Sequence, residues 1–335
     1  MAIATDSFNR LTEKFSLALE DRSRGYADLV SNSNAILSIM KKKGGWLTFS
    51  GPTIRERLLY AESGTYTRYS GYEFLNPIPV ELINDAEYLP KLAAVSVTLS
   101  GEEILQNSGE NQIKDVMKTH IQAAEQELKD RFVEDLHDDG TSDGGRQIGG
   151  FQLAVPTTPS SAGVYGGIDR DTVPLWQTGA YTGTGLTSAS LVAATIHDAY
   201  TQVLINRTRG KNGPNVIAAD ATHYRMFQQA LVAIQRVTKE GKSAELGFPS
   251  LAFAGAGYEL DVVLEGGIGS AMPSGTSYFL KVGEDGFKFR YHPDRNFVAF
   301  GGKQRPVNQD AIVQHIGFYG NLTLANPLWQ AKLTT

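Results

Sequence analysis

ENQIKDVMKTHIQAAEQELKDRFVEDLH, residues 110–137, is the stretch whose reading decides the architecture. Ile113, Val116/Met117, Ile121, Ala124, Leu128, Phe132 and Leu136 recur every three or four residues, the period of an amphipathic helix. Opposite charges stand four apart in the favourable order at Glu110–Lys114, Glu125–Lys129 and Glu127–Arg131. Asn107 can cap the start with Glu110 at the box position, and Asp139-Gly140 supplies the stop. At 1.5 Å per residue such a helix runs about 40 Å, roughly twice the average for globular domains. Its polar face carries no catalytic cluster. It reads as a strut, and a strut points to a structural protein.

The whole chain has 335 residues, enough for one large or two medium domains with a buried core. Its formal net charge is −5, so the basic footprint of a tight nucleic-acid binder is absent. With no cysteine, thiolate catalysis, disulfides and Cys-based metal sites are excluded. The opening MAIATDSFNRLTEKF has no apolar core of a signal peptide, and no apolar run approaches a membrane span. The expectation is a soluble protein made in a cytoplasm.

Outward from the helix, residues 1–45 are polar and weakly patterned, and read as a loosely tethered arm. Residues 46–100 change character. TIRERLLYAE, TYTRYSGYEFL and AAVSVTLSG are aromatic and β-branched, separated by Gly64, Gly71, Pro77 and Pro79. They read as a long two-stranded excursion and a return into the core at Lys91–Leu99. Such a hairpin cannot bury enough surface to stand alone and needs something to lie on. After the helix come a turn-rich loop, a short strand candidate at Phe151–Val155, and YGGIDRDTVPLW (165–176) as an ordered loop. From Thr187 helices and strands alternate: a helix to Arg207, a buried strand Val216–Ala219, and a second helix Ala221–Lys239. Strands follow at Leu251–Phe253, Tyr258–Leu264, Ser277–Val282 and Phe287–Tyr291. The tail reads as one long strand around Gln309–Thr323 and a shorter closing strand after Pro327. The fold class is α+β with an α/β unit of about a hundred residues.

Sites for chemistry are sparse. Glu240-Gly241-Lys242-Ser243 ends like a phosphate loop, but Arg236 stands where the first glycine belongs and a helix precedes it. Gly183-x-Gly185 lacks the third glycine of a dinucleotide site. His137-Asp138-Asp139 with Asp143 is the densest set of metal-ligand types, at a spacing that fits a polar turn better than a metal loop. His120 falls on the helix's apolar side as a packing residue. Lys41–Lys43 is the one basic run; three lysines can touch a few phosphates, yet a solvated linker is the plainer reading. No nucleophile, base and orienter converge, so no catalytic residue, cofactor or metal is expected.

Four strings carry a resemblance: Tyr69-Ser70-Gly71-Tyr72-Glu73-x-Leu75, Asn107-x-Gly109 at the helix entry, Gly166-Gly167-Ile168-Asp169-Arg170 with Trp176 six residues on, and Pro273 followed by Tyr278-Phe279-Leu280. In that order and spacing the chain resembles major capsid proteins of tailed double-stranded DNA phages, with the Hong Kong 97-type coat fold. The resemblance implies an N-terminal arm (1–45), an extended loop and stem (46–100), and a peripheral domain (101–186) whose spine is 110–137. It further implies an axial domain (187–295), a return strand of the peripheral domain (296–324) and a closing strand of the axial domain (325–335).

By the same resemblance the function is a shell subunit that forms pentamers and hexamers around packaged DNA, in a virion assembled in a bacterial cytoplasm. Partners would be other copies of the chain, a portal protein at one vertex, a decoration protein outside, and DNA held by weak non-specific contact. The roughly hundred-residue N-terminal scaffolding region of some members is missing, which implies a separate scaffolding protein. Contacts between subunits are expected at Arg55, Glu56, Arg57, Glu62, Arg68, Tyr69, Tyr72, Glu73, Glu125, Arg131, Arg170 and Trp176. Two other readings stand beside this one: an encapsulin-type compartment around an enzyme cargo, and a hydrolase or transferase built on the 187–295 unit.

Overall fold

The computed structural model describes residues 34–59, 65–75, 83–106, 110–187, 190–233, 250–265, 271–304 and 308–335. The spine is present as read: α3 spans Glu110–His137, and Ile121, Ala124, Leu128, Phe132 and Leu136 are buried along one side. The expected cap at Asn107 lies outside the described residues. Before it come α1 (Ala35–Lys42), β1 (Trp46–Thr48), β2 (Ile54–Leu59), β3 (Ile83–Tyr88), β4 (Lys91–Ser100) and the short α2 (Gly101–Gln106). α2 is held by a reciprocal box, the Glu103 N–H donating to Ser100 Oγ and the Ser100 N–H to Glu103 Oε2, both at 3.1 Å. His120 is half-exposed, with Nε2 3.5 Å from Glu103, so it ties α3 to α2 rather than packing on the apolar side.

α3 lies on a four-stranded sheet of order β1-β12-β13-β4, where β12 is Phe287–Gln304 and β13 is Ala311–Leu324. The β12–β13 pair is antiparallel with register shifts around Asn296 and Val298. At that bulge Phe297 takes a positive φ of 57° and turns fully into the core. Its ring stacks on Phe318 at 4.8 Å and meets Phe132 of α3 edge-on at 5.2 Å. The strained residue is thus the one that fills the space beneath the spine.

A six-stranded sheet of order β7-β14-β11-β8-β10-β9 forms the second body, with β7 at Gly179–Thr182, β8 at Val216–Ala219, β9 at Ser250–Gly255, β10 at Tyr258–Leu264, β11 at Thr276–Leu280 and β14 at Ala331–Thr334. Both faces are covered, and the interior strand β8, Val-Ile-Ala-Ala, is accordingly apolar throughout. Ile217, Ala219, Val262, Phe279 and Leu333 pack with residues of α4 (Ala193–Arg207) and α5 (Ala221–Ala233), such as Tyr200 and Phe227. Val216, Ala218, Val263 and Tyr278 alternate with them and join the cluster that also holds α1, Phe151 and the spine residues.

Further expectations differ from the structure. Phe287–Tyr291, expected in the 187–295 unit, opens β12 and so belongs to the sheet under the spine. Phe151–Ala154 is one helical turn, not a strand. Gly149-Gly150 lets the chain press against the end of α3 there, since a Cβ on Gly150 would sit 2.3 Å from the Asp138 carbonyl oxygen. The close of the expected arm is not a loose tail either. α1 is buried from Ala35 to Met40, and Asn34 caps it by accepting from the Ile36 and Leu37 N–H groups. The Asn34 amide also donates to Glu265 at 2.6 Å, and Glu265 is 3.3 Å from His137 at the end of α3. That buried junction joins α1, the spine and the residue after β10.

Candidate functional site: an assembly surface

Strand β2 alternates as its sequence dictates. Ile54, Glu56 and Leu58 face inward while Arg55 and Arg57 face out. β2 pairs with β3 to give a two-stranded hairpin with Arg55 opposite Glu87 and Arg57 opposite Asp85. Arg55 and Glu87 form an exposed ion pair at 2.9 Å. On the inward parity, Glu56 is 2.7 Å from Lys288 and 2.8 Å from Arg290 on β12, and accepts from the Thr323 hydroxyl of β13 at 3.2 Å. Burial pushes its carboxyl up, but hydrogen bonds from Arg290 and Lys288, and their charges, outweigh that and hold it below the usual carboxylate range. Glu56 is therefore an internal anchor of the hairpin stem, buried within its own chain.

Arg170 and Trp176 are likewise internal. Trp176 donates from Nε1 to the Tyr165 carbonyl at 2.8 Å, and Arg170 donates from Nη2 to the Leu153 carbonyl at 2.6 Å. The Arg170 guanidinium lies 4.5 Å from the centre of the Tyr165 ring. Burial lowers the Arg170 pKa and pushes the Tyr165 phenol up to about 12. Their loop, with β5 (Val164–Tyr165) and β6 (Ile168–Asp169), holds the hairpin. The Gly166 carbonyl accepts from the Glu87 N–H at 2.9 Å. Gly166 has φ +60°, and a Cβ there would meet the Tyr88 and Ala86 side chains at 3.0–3.1 Å. This approach requires glycine.

What remains outward is the hairpin's far segment. Tyr66, Tyr69, Tyr72, Phe74 and Leu75 are exposed, Tyr72 and Phe74 completely, and Arg68 is exposed among them. Gly71, with φ +61°, sits in the turn, and Glu73 accepts from the Ser70 N–H at 3.1 Å. So many large apolar side chains on ten residues form a patch of the kind that marks a protein contact. Elsewhere, Arg131 is exposed and pairs with Glu134 at 2.8 Å, whereas Glu125 is buried within the subunit. Glu62 lies outside the described residues. The expected contact residues thus divide. Arg55, Arg57, Arg68, Tyr69, Tyr72, Glu73 and Arg131 are outward; Glu56, Glu125, Arg170 and Trp176 serve the fold.

The axial body holds one grouping of catalytic residue types, which sequence spacing did not reveal. His223 Nδ1 is 2.7 Å from Ser277 Oγ, which is 2.8 Å from the Tyr200 hydroxyl, while Asp220 accepts from the His223 N–H. Ser277 and His223 are fully buried, and burial lowers the His223 pKa. The Asp220 carboxylate bonds the His223 and Gly275 backbone rather than the imidazole, so it does not orient the ring as a base. The arrangement is a buried polar tie between β11 and α5. The His137–Asp139 region is a turn: His137 reaches Glu265 inside, Asp138 accepts from Gln147, and Asp139 accepts from Thr141. Among the described residues no group of acids and histidines is placed to hold a metal, and no helix is long and apolar enough to cross a membrane.

No protein-family model and no curated protein matches the chain by sequence. Solved structures do match it in three dimensions. A chain of the cyanophage A-1(L) capsid asymmetric unit superposes with TM-score 0.63 at 14% identity, over 90% of this chain and 92% of that one. A chain of the capsid of Myoviridae phage XM1 gives 0.51 at 14% identity, over 88% and 90%. A chain of the holo-SrpI encapsulin complex from Synechococcus elongatus PCC 7942 gives 0.52 at 12% identity, over 88% and 86%. The hairpin, the spine and its sheet, and the six-stranded body together make up the Hong Kong 97-type coat fold that these phage capsid and encapsulin chains share, and this chain has that fold.

Proposed function

We propose that the chain is the structural subunit of an icosahedral phage capsid, assembling as pentamers and hexamers around double-stranded DNA. The observation that carries this reading is the superposition of nine-tenths of the chain on a cyanophage capsid chain. It is supported by the hairpin, whose exposed aromatic segment from Tyr66 to Leu75 has no surface of its own subunit to cover it among the described residues. A second copy is the natural cover, because a modest contact repeated around a closed shell multiplies into a stable assembly. The role is architectural and not catalytic. A scaffolding protein to guide closure, a portal at one vertex and a decoration protein outside complete the proposed set of partners, and the virion is the proposed location.

The test is light scattering with negative-stain microscopy on the purified chain, alone and with the scaffolding protein co-expressed. Closed particles of megadalton mass, or rings of five and six that close when scaffold is added, are expected. A dimer or monomer unchanged by scaffold would refute the reading. A compartment of the encapsulin kind is the second reading, favoured by the match to the Synechococcus shell chain. Small DNA-free shells that purify with an enzyme inside would select it.

A further inference from the structure

His223, Ser277 and Tyr200 come from α5, β11 and α4, and their contacts at 2.7 and 2.8 Å join three elements of the axial body at one point. All three residues are fully buried. A neutral imidazole, a hydroxyl and a phenol bring one proton each to these two contacts. One N–H or O–H is therefore left without an acceptor in every arrangement. His223 Nε2 is itself buried and has no partner. A second proton on the imidazole raises the stranded donors to two and adds a buried charge, so the closed hub resists it.

The position of the ring acts in the same direction. Asp220 accepts from the His223 N–H at 2.9 Å and, through its carbonyl, from the Tyr224 N–H, which places His223 in the first turn of α5. The helix dipole disfavours a cation there. Asp220 is the charged group whose field acts on the ring and it favours the cation, but burial outweighs it and lowers the His223 pKa. Around the ring, α4 contributes Tyr200 and β11 contributes Ser277, while Asp198 on α4 and Arg225 on α5 are exposed. Leu260 and Val262 of β10 pack in this core, so Glu259 and Asp261 fall on the alternate parity. Asp220 also ties this turn to β11, accepting from the Gly275 N–H at 2.8 Å and donating to the Thr276 carbonyl at 3.1 Å. We propose that this hub is an acid-sensitive latch: one proton taken up by His223 frees the first turn of α5 from β11 and loosens the axial body while the spine stays closed. The inference rests on the fold and not on the capsid reading. In the opened chain His223 regains an ordinary pKa of about 6.5, so opening takes up a proton. The latch holds fully above that pH and weakens as pH falls below it, by up to about tenfold in the opening constant per pH unit.

The experiment is hydrogen exchange of unassembled subunits at about pH 7.5 and 5.5, corrected for the intrinsic effect of pH on exchange. The backbone of residues 221–231 is expected to open about tenfold more often at the lower pH, and that of residues 121–136 in the spine to be unchanged. His223→Asn keeps a hydrogen-bonding group near the place of Nδ1 and cannot titrate in this range. Its α5 is expected to open equally often at both values. No acid step in the parent chain, a step of the same size in the variant, or one shared equally by the spine would overturn the proposal. If the variant does not fold, the imidazole resonances of the parent chain carry the test. His223 is expected to stay neutral for as long as α5 is closed, and a His223 that titrates near pH 6.5 with α5 still protected would overturn the latch.

Discussion

Glu56 and Lys288 stand 2.7 Å apart with both side chains about 6% exposed, and this pair fastens the hairpin to the sheet beneath the spine. Arg290 and Thr323 complete the carboxylate's partners. Removing one member of a buried pair leaves the other charge desolvated, which costs about 3–5 kcal/mol. Glu56→Gln is accordingly expected to lower the unfolding free energy by about 3 kcal/mol in urea titrations. The same variant carries a pH signature. A carboxyl whose folded pKa is depressed contributes its full stability above its unfolded pKa of about 4.3 and loses it as pH falls through the folded value. The parent chain should therefore lose stability below about pH 4 more steeply than Glu56→Gln does. Parallel pH profiles would show that the pair does not couple to folding.

Asn34 both caps α1 and donates to Glu265, so Asn34→Ala removes a helix cap and one partner of a buried acid. A loss of about 1–2 kcal/mol is expected from the cap alone. Hydrogen exchange should show the backbone of residues 35–40 opening in that variant. If α1 already exchanges freely in the parent chain, it does not belong to the core.

Arg55 and Arg57 are outward-facing and lie opposite acids. Arg55→Glu with Arg57→Glu sets like charges across the hairpin, at a cost of about 0.2–1 kcal/mol per pair. The body should melt within a few degrees of the parent chain while the yield of closed shells falls. Normal yield would remove these arginines from the assembly surface.

Tyr69, Tyr72 and Phe74 separate folding from assembly most cleanly. They are exposed, so replacing each with Ser should change subunit stability by under about 0.5 kcal/mol. Repeated over every contact in a shell, loss of their burial should reduce assembly by about tenfold or more in light scattering. Unchanged assembly would mean that the far segment of the hairpin covers nothing.

The elements legible in the sequence were those whose signal is local. The 28-residue spine announces itself by period and stop signal, and Tyr258–Leu264 by the glycine-rich turns that bound it. Phe151–Ala154 was not legible, because a short apolar run looks the same as a strand or as a turn of helix. Its conformation is set by how Gly150 packs on the end of α3. Glu56 misled for a related reason. Its outward neighbours Arg55 and Arg57 suggest a charged surface strand, and the cations that bury it lie over 230 residues away. The parity was nonetheless visible, since Glu56 is in phase with Ile54 and Leu58. An acid at an inward position is a prompt to look for a buried cation. Arg170 gave no such cue, because its partners are a carbonyl and an aromatic ring.

β14 lies inside its sheet, hydrogen-bonded to β7 on one side and to β11 on the other, yet its residues are made after those of every other strand there. A ribosome must release Ala331–Thr334 before β7 can join the sheet, so the axial body closes only after translation has passed this point.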